Sequence, residues 1–275
     1  VVDHLKKQKN KIMHGKYYLT EEIKPNVDTQ GNIAHTSRDV VFDWTSFEIP
    51  KGTANMNSFC IKVQGTNGTA QSANLELFFA KSVDGVAPPS IGVANAAKNP
   101  IKAVAVRPYI IGYQGVVASA DEDASNTLTG YNVLQNGKGQ DNVNRNHTPL
   151  ILEGHPDGFP GDANYSKTTP GFQTIWVAAT CATSTPDFGT SCLVAGAHSA
   201  DDLTIVVDGK DTDDLFAVGD EVVAFKSDGT VPKPIGKVTA VAADLLTVDA
   251  CPQDIPDNHE ICHRHPVTLR FGFEY

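Results

Sequence analysis

The string His259-Glu260-Ile261-Cys262-His263 matches H-E-x-x-H. On a helix, two histidines one turn apart can hold zinc while the glutamate activates a bound water. That chemistry needs a stable helix. Here prolines at 252, 256 and 266 leave room for barely two turns, and no third-ligand signature follows Pro266. The flanks favour a polar turn with incidental histidines. Two alternatives stay open: a structural metal drawn from Cys251, His259, Cys262, His263 and His265, and, behind it, a zinc metallohydrolase acting through this string.

The cysteines are the second set of residues able to do chemistry. They are Cys60, Cys181, Cys192, Cys251 and Cys262, and the last four fall in two pairs with the same separation. Four cysteines allow three connectivities, and spacing does not choose among them. Local pairing would staple two loops, whereas Cys192–Cys251 with Cys181–Cys262 would clamp the neck between two parts of the chain. Five reduced, buried thiols are the expected state of a protein kept in a cytosol.

Other chemistries lack their signposts. There is no G-x-S-x-G elbow, no Walker loop and no G-x-G-x-x-G after a strand. The cluster Asp208, Asp211, Asp213 and Asp214 fails the EF-hand spacing and reads as solvated turns. Asn67, Asn146 and Asn164 begin formal glycosylation triplets that matter only in a secretory host. Trp44, Phe47, Trp176, Phe271 and Phe273 sit at strand positions, where core packing outweighs a sugar-binding platform. The sequence implies no catalytic residue and no cofactor.

Composition bounds the partners. With 275 residues, 40% hydrophobic and 20% charged, the chain is an ordinary globular protein with room for two domains. No apolar run approaches the roughly 20 residues needed to cross a bilayer, and VVDHLKKQKNKIMHG lacks the apolar centre of a secretory signal. A soluble protein without a membrane partner is expected. A net charge of −10 argues against a dedicated nucleic-acid binder. Residues 1–16 are the exception, carrying Lys6, Lys7, Lys9, Lys11 and Lys16 against Asp3. They read as a solvated terminus or as a basic docking arm.

The elements that must position these residues are strands. Val40–Trp44, Asn57–Gln64, Asn74–Ala80, Ala103–Ile111, Thr174–Thr180 and Val267–Phe273 are short β-rich runs bounded by Gly, Asn and Ser. No window sustains a helical period. The reading is an all-β protein: a jelly-roll-like antiparallel β-sandwich with an inserted small β-barrel and an extended N-terminal arm. The arm spans 1–35, the sandwich 36–198 and 251–275, and the barrel 199–250, with strands at LTIVV, DEVVAF, IGKVTAV and LLTVD. The strands flanking the barrel are assigned to the main sheet, so the barrel's termini should lie close together. Residues 119–170, rich in Asn, Gly, Asp and Pro, read as a long loop with one strand candidate, LILE.

The order of basic arm, jelly-roll strands (VVFDW, SFCIKVQG, ANLELFFAKS), GFQTIWVAAT with DFGTS, and the late VGDEVVAFKSDG…PIGKVTAV…LLTVD block resembles virion structural proteins of tailed bacteriophages, of the capsid decoration or cement type. The resemblance spans most of the chain and rests on architecture. It implies a non-enzymatic protein on the capsid surface of a virion, bridging major capsid protein or other virion subunits as a homo-oligomer, a dimer or trimer. The arm and the long loop are the expected contact elements, with Lys6, Lys7, Lys9, Lys11 and Lys16 as arm contacts and deletion of 1–35 expected to weaken attachment while the β domains still fold. The alternative is a phage tail-fibre or baseplate piece, or a carbohydrate- or receptor-binding β module.

Overall fold

A computed structural model describes residues 17–27, 34–64, 73–83, 86–93, 105–116, 122–125, 128–134, 150–153, 155–156, 171–182, 186–190, 192–209, 211–225 and 232–275. The strands up to the barrel are β1 (Tyr17–Leu19), β2 (Val40–Pro50), β3 (Ala54–Gln64), β4 (Leu75–Ala80), β5 (Ile110–Val116), β6 (Glu122–Ser125), β7 (Leu128–Leu134), β8 (Leu150–Leu152), β9 (His155–Pro156) and β10 (Phe172–Cys181). The barrel contains β11 (Cys192–Val194), β12 (Thr204–Gly209), the four-residue helix α1 (Thr212–Leu215), β13 (Glu221–Phe225), β14 (Lys233–Ala242), β15 (Leu245–Val248) and β16 (Glu260–His263). The last strand, β17 (Val267–Glu274), returns to the sandwich.

Two antiparallel sheets face each other. One runs β1-β17-β3-β7-β6 with β8 also on β3, and the other runs β2-β10-β4-β5 with β9 on β10. Leaving out the accessory strands β6, β8 and β9, four strands in each sheet follow the two-Greek-key path of a jelly roll, as the sequence pattern predicts. The barrel is inserted between the seventh and eighth strands of that path, β10 and β17. These two flanking strands lie in opposite sheets, which corrects the expectation that they share one.

Period-2 patterning builds this core. In β17, Val267, Leu269, Phe271 and Phe273 are buried while Arg270 between them is exposed. Phe271 and Phe273 meet Phe47 across the sandwich at ring separations of 5.1 and 6.4 Å, and Phe79 touches Phe271 at 5.4 Å. Each such side chain contributes about 1.5–3 kcal/mol on burial. Strand β10 is buried along nearly its whole length because Ile91 covers its outer face, packing on Val40 and Ala178. Trp44 joins that patch and donates its Nε1–H to Pro89 O at 2.9 Å, so the strand aromatics Phe47, Phe271, Phe273 and Trp44 serve packing.

The barrel closes as β11-β12-β15-β14-β13-β16 around Val194, Ile205, Val222, Ile235, Leu246 and Ile261. It is wider than 199–250. Cys192–Val194 and Glu260–His263, assigned from sequence to the sandwich, supply its first and last strands and pair at Leu193 and Glu260. Three or four residues carry too little periodicity to be recognised, but a four-strand sheet could not close without them. Their pairing places the ends of the insertion side by side.

Three further expectations change. The predicted arm 1–35 is partly sandwich: β1 pairs with Gly272–Glu274, Ile23 bridges Leu269, and Ile23 and Val27 enter the main core. Removing 1–35 would therefore strip a strand from the fold. Residues 1–16, with all five arm lysines, lie outside the described residues. Within the predicted loop 119–170, β7 pairs with β3 over seven residues, from Ser58↔Leu134 to Gln64↔Leu128. Its LTGYNVL alternates small and polar residues with Tyr and Val in an Asn- and Gly-rich context, which hid it. Finally, within the predicted strand Ala103–Ile111, residues 105–109 form turns around Pro108 and β5 starts at Ile110, while 103 and 104 lie outside the described residues. Asn67, Asn146 and Asn164 also fall outside the described residues.

Candidate functional site: the polar neck between sandwich and barrel

Only Arg264, His265 and Pro266 separate the barrel's last strand from the sandwich's last strand. The H-E-x-x-H string is therefore part of a neck. Its backbone is tied on both sides: Arg264 N donates to Glu221 O at 2.8 Å, and Gln64 N donates to Pro266 O at 2.7 Å.

The string itself is extended. Residues 260–263 form β16, with Glu260, Ile261 and Cys262 pairing Phe225, Ala224 and Val223. Four residues of strand separate His259 from His263 by about 13 Å, where a helix would bring them within one turn. The zinc-hydrolase geometry is absent because ladder pairing claims this backbone. Glu260 is buried, and its Oε1 accepts the backbone N–H of Thr190 at 2.7 Å, so this carboxylate anchors a loop.

The five metal candidates point to different places. Cys251 and Ile261 are in the barrel core, and the Cys251 thiol donates to Gln253 O at 3.0 Å. Cys262, on the opposite face of β16 from Ile261, packs with Val223 and Phe225. His259 Nδ1 donates to Asp257 O at 3.3 Å, and His265 Nδ1 donates to Pro25 O at 3.0 Å. His263 Nε2 donates to Leu215 O at 3.1 Å, with its ring 4.8 Å from that of Phe216. Among the described residues no three His, Cys, Asp or Glu side chains converge as metal ligands, the Asp208–Asp214 cluster included.

All five cysteines are free thiols. Neither local staples nor a cross-neck clamp is formed. Cys181 belongs to the sandwich core and Cys192 to the barrel core. Burial, then Asp39, pushes the Cys181 thiol up to about 12; burial, then Asp208, Glu260 and Asp211, does the same for Cys192. Burial also raises Cys262 well above the ordinary thiol value.

The neck does gather charge. Glu221 Oε1 accepts from Lys24 Nζ at 3.3 Å, and Oε2 lies 3.6 Å from both Arg264 Nη1 and His265 Nε2. Partial burial pushes this carboxyl up, but the hydrogen bond and charge of Lys24, with His265 and Arg264, outweigh it and hold Glu221 below its usual range. Beside it, His263 Nδ1 lies 3.6 Å from Asp220 Oδ2. Burial lowers this histidine, outweighing the opposing pull of Asp220 and of Leu215 O, so the ring is neutral at pH 7. Lys24, Asp220, Glu221, His263 and His265, with Lys62 and Glu22 3.6 Å apart, border a cleft of ≈ 270 Å³ between the two bodies. Chemically the site is a polar seam in which Lys24 of the sandwich pairs with Glu221 of the barrel.

Sequence reading had no route to this set. Lys24 and Glu221 are 197 positions apart, and no local pattern marks either.

No known protein family and no curated protein matches the sequence. Among solved structures, the T13 viral particle of IBDV aligns at 7% identity over 94% of this chain and 39% of that chain, with a TM-score of 0.21. The infectious bursal disease virus Gx strain aligns at 9% identity over 94% and 42%, TM-score 0.21. Cucumber necrosis virus aligns at 10% identity over 94% and 96%, TM-score 0.16. The chain thus spans about two-fifths of the first two, and at these TM-scores the likenesses carry no argument.

Proposed function

We propose that this chain is a non-enzymatic structural protein of a viral particle, a decoration or cement protein that sits on the capsid surface and ties together major capsid protein or other virion subunits as a dimer or trimer. The observation that supports it is the eight-strand jelly-roll order with a barrel inserted before the last strand. Such a sandwich keeps its core intact while its edges and loops serve as contact surfaces. The barrel adds a second surface held in a set orientation by the neck. The basic segment 1–16 and the parts of 119–170 outside strands β6 to β9 are the proposed attachment elements, multivalency on a lattice offsetting weak single contacts.

The test is the copy number of the protein on purified symmetric particles, by quantitative mass spectrometry. A fixed stoichiometry with lattice sites is expected, falling when Lys6, Lys7, Lys9, Lys11 and Lys16 are changed to Glu. Absence from every particle fraction would overturn the reading.

One observation favours a carbohydrate-binding module instead. Tyr113 on β5 is 52% exposed with its ring 5.5 Å from Phe78, a supported aromatic platform. Glycan-array binding lost in Tyr113→Ala would move the conclusion to that class.

A further inference from the structure

His265 stands in the linker between β16 and β17 and faces one oxygen from each body. Its Nδ1 lies 3.0 Å from Pro25 O, and its Nε2 lies 3.6 Å from Glu221 Oε2. Pro25 is fixed in the sandwich, because Ile23 and Val27 on either side of it are buried in the main core. Glu221 opens β13 and belongs to the barrel. One imidazole thus touches both bodies, and the cleft of ≈ 270 Å³ beside it gives the barrel room to shift.

Both of those oxygens can only accept. A carbonyl has no proton to give, and the Glu221 carboxyl stays ionised in mildly acidic solution because Lys24, His265 and Arg264 outweigh the effect of its burial. A neutral imidazole carries a single N–H, and an imidazolium carries two. With its Nδ1–H given to Pro25 O, the neutral ring turns a bare lone pair toward the Glu221 carboxylate, whereas the charged ring turns a donor toward it. Only the charged ring satisfies both oxygens at once.

The surrounding charges leave that proton in control. Among the described residues, Lys24 after β1, Lys62 on β3 and Arg264 beside the ring balance Glu22 after β1 and Asp220 and Glu221 at the start of β13. His263 on β16 also borders the cleft, but burial lowers it, so it charges at more acidic pH. A second tie across the cleft, Lys24 to Glu221 at 3.3 Å, joins side chains 43% and 35% exposed, a pair that water and salt weaken. The His265 side chain is 16% exposed, so its attraction to Glu221 is screened less.

We propose that His265 is a proton-operated latch: charged in mildly acidic solution, it bridges Pro25 O of the sandwich to Glu221 of the barrel and holds the barrel in one orientation, and on losing its proton it releases Glu221 and lets the barrel shift against the sandwich. An imidazole makes that change of charge between about pH 5 and 8. The latch does not depend on the assembly role.

The test uses the full-length, ¹⁵N-labelled protein in a weakly aligning medium, where residual dipolar couplings report the orientation and order of each body separately. At about pH 5.5 sandwich and barrel should share one alignment, and at about pH 8 the barrel's should be averaged below the sandwich's. Imidazole ¹⁵N spectra should show His265 protonated on both nitrogens at the lower pH and as the Nδ1–H tautomer at the higher. His265→Gln should lose the common alignment at both pH values. His265→Arg, always charged and with several donors on a planar fork, should keep it at both. His263→Gln should respond to pH as the native protein does, which separates the latch from the buried histidine beside it. Couplings of the native protein that do not respond to pH would overturn the proposal. So would a response that survives in His265→Gln or vanishes in His263→Gln, or an Nε2–H tautomer of His265 at about pH 8.

Discussion

His263 and Asp220 face each other at 3.6 Å inside the neck, yet the ring is held neutral because the cost of charging it under buried surroundings exceeds what the carboxylate returns. The folded value is depressed below the ordinary 6.5, so the unfolded chain binds the proton more readily. The stability this provides is complete above about pH 6.5 and is lost as pH falls toward the folded value. Thermal melts between pH 7.5 and 5 should show a steeper decline for the native protein than for His263→Gln. At neutral pH, His263→Ala should cost roughly 1–3 kcal/mol through the lost Leu215 contact and the void beside Phe216.

Truncation separates the arm from the sandwich. Removing residues 1–16 leaves β1, Ile23 and Val27 in place. Removing 1–27 takes away β1 and the buried Ile23 and Val27, about 3–6 kcal/mol of burial in a fold whose total margin is roughly 5–15. Equal stability of the two truncated proteins by denaturant titration would contradict the placement of Ile23 and Val27.

Thiol reactivity should follow burial. Cys60 is half-buried, while the other four are buried. In native protein at pH 8 one thiol, Cys60, should react with a disulfide reagent ahead of the rest, and all five should appear on unfolding without reductant. Fewer than five thiols in the unfolded, unreduced protein would restore a disulfide between the paired cysteines.

Gly236 tests the closure of the barrel. It sits at φ +139, and a Cβ there would lie 2.5 Å from Asp249 Oδ1, which accepts the backbone N–H of Lys237 and Ala250. Gly236→Ala should destabilise by about 1–3 kcal/mol. Hydrogen exchange should place the loss in β14 and β15 rather than in the sandwich; uniform loss across both bodies would mean that they unfold as one unit.

How much was legible in the chain depends on range. Alternation at Val267–Phe273 and the Val- and Ile-rich runs of the barrel are local, so strand type and the jelly-roll class could be read without coordinates. Segments whose strand character comes from partners could not. Tyr17–Leu19 is a strand because β17 lies beside it, Leu128–Leu134 because β3 does, and Glu260–His263 because it closes a barrel.

The H-E-x-x-H string shows the same division. Amino-acid order set which groups are present: two histidines, a glutamate and a cysteine in five residues. Tertiary pairing with β13 decided that they are extended, that the histidines lie far apart, and that Glu260 caps a loop while His263 enters the neck. The neck groups Lys24, Glu221, Arg264 and His265 come together from distant parts of the chain. Composition determined that such charges exist; only folding decided which of them meet, because an ion pair depends on distance in space and leaves no periodic mark in the sequence.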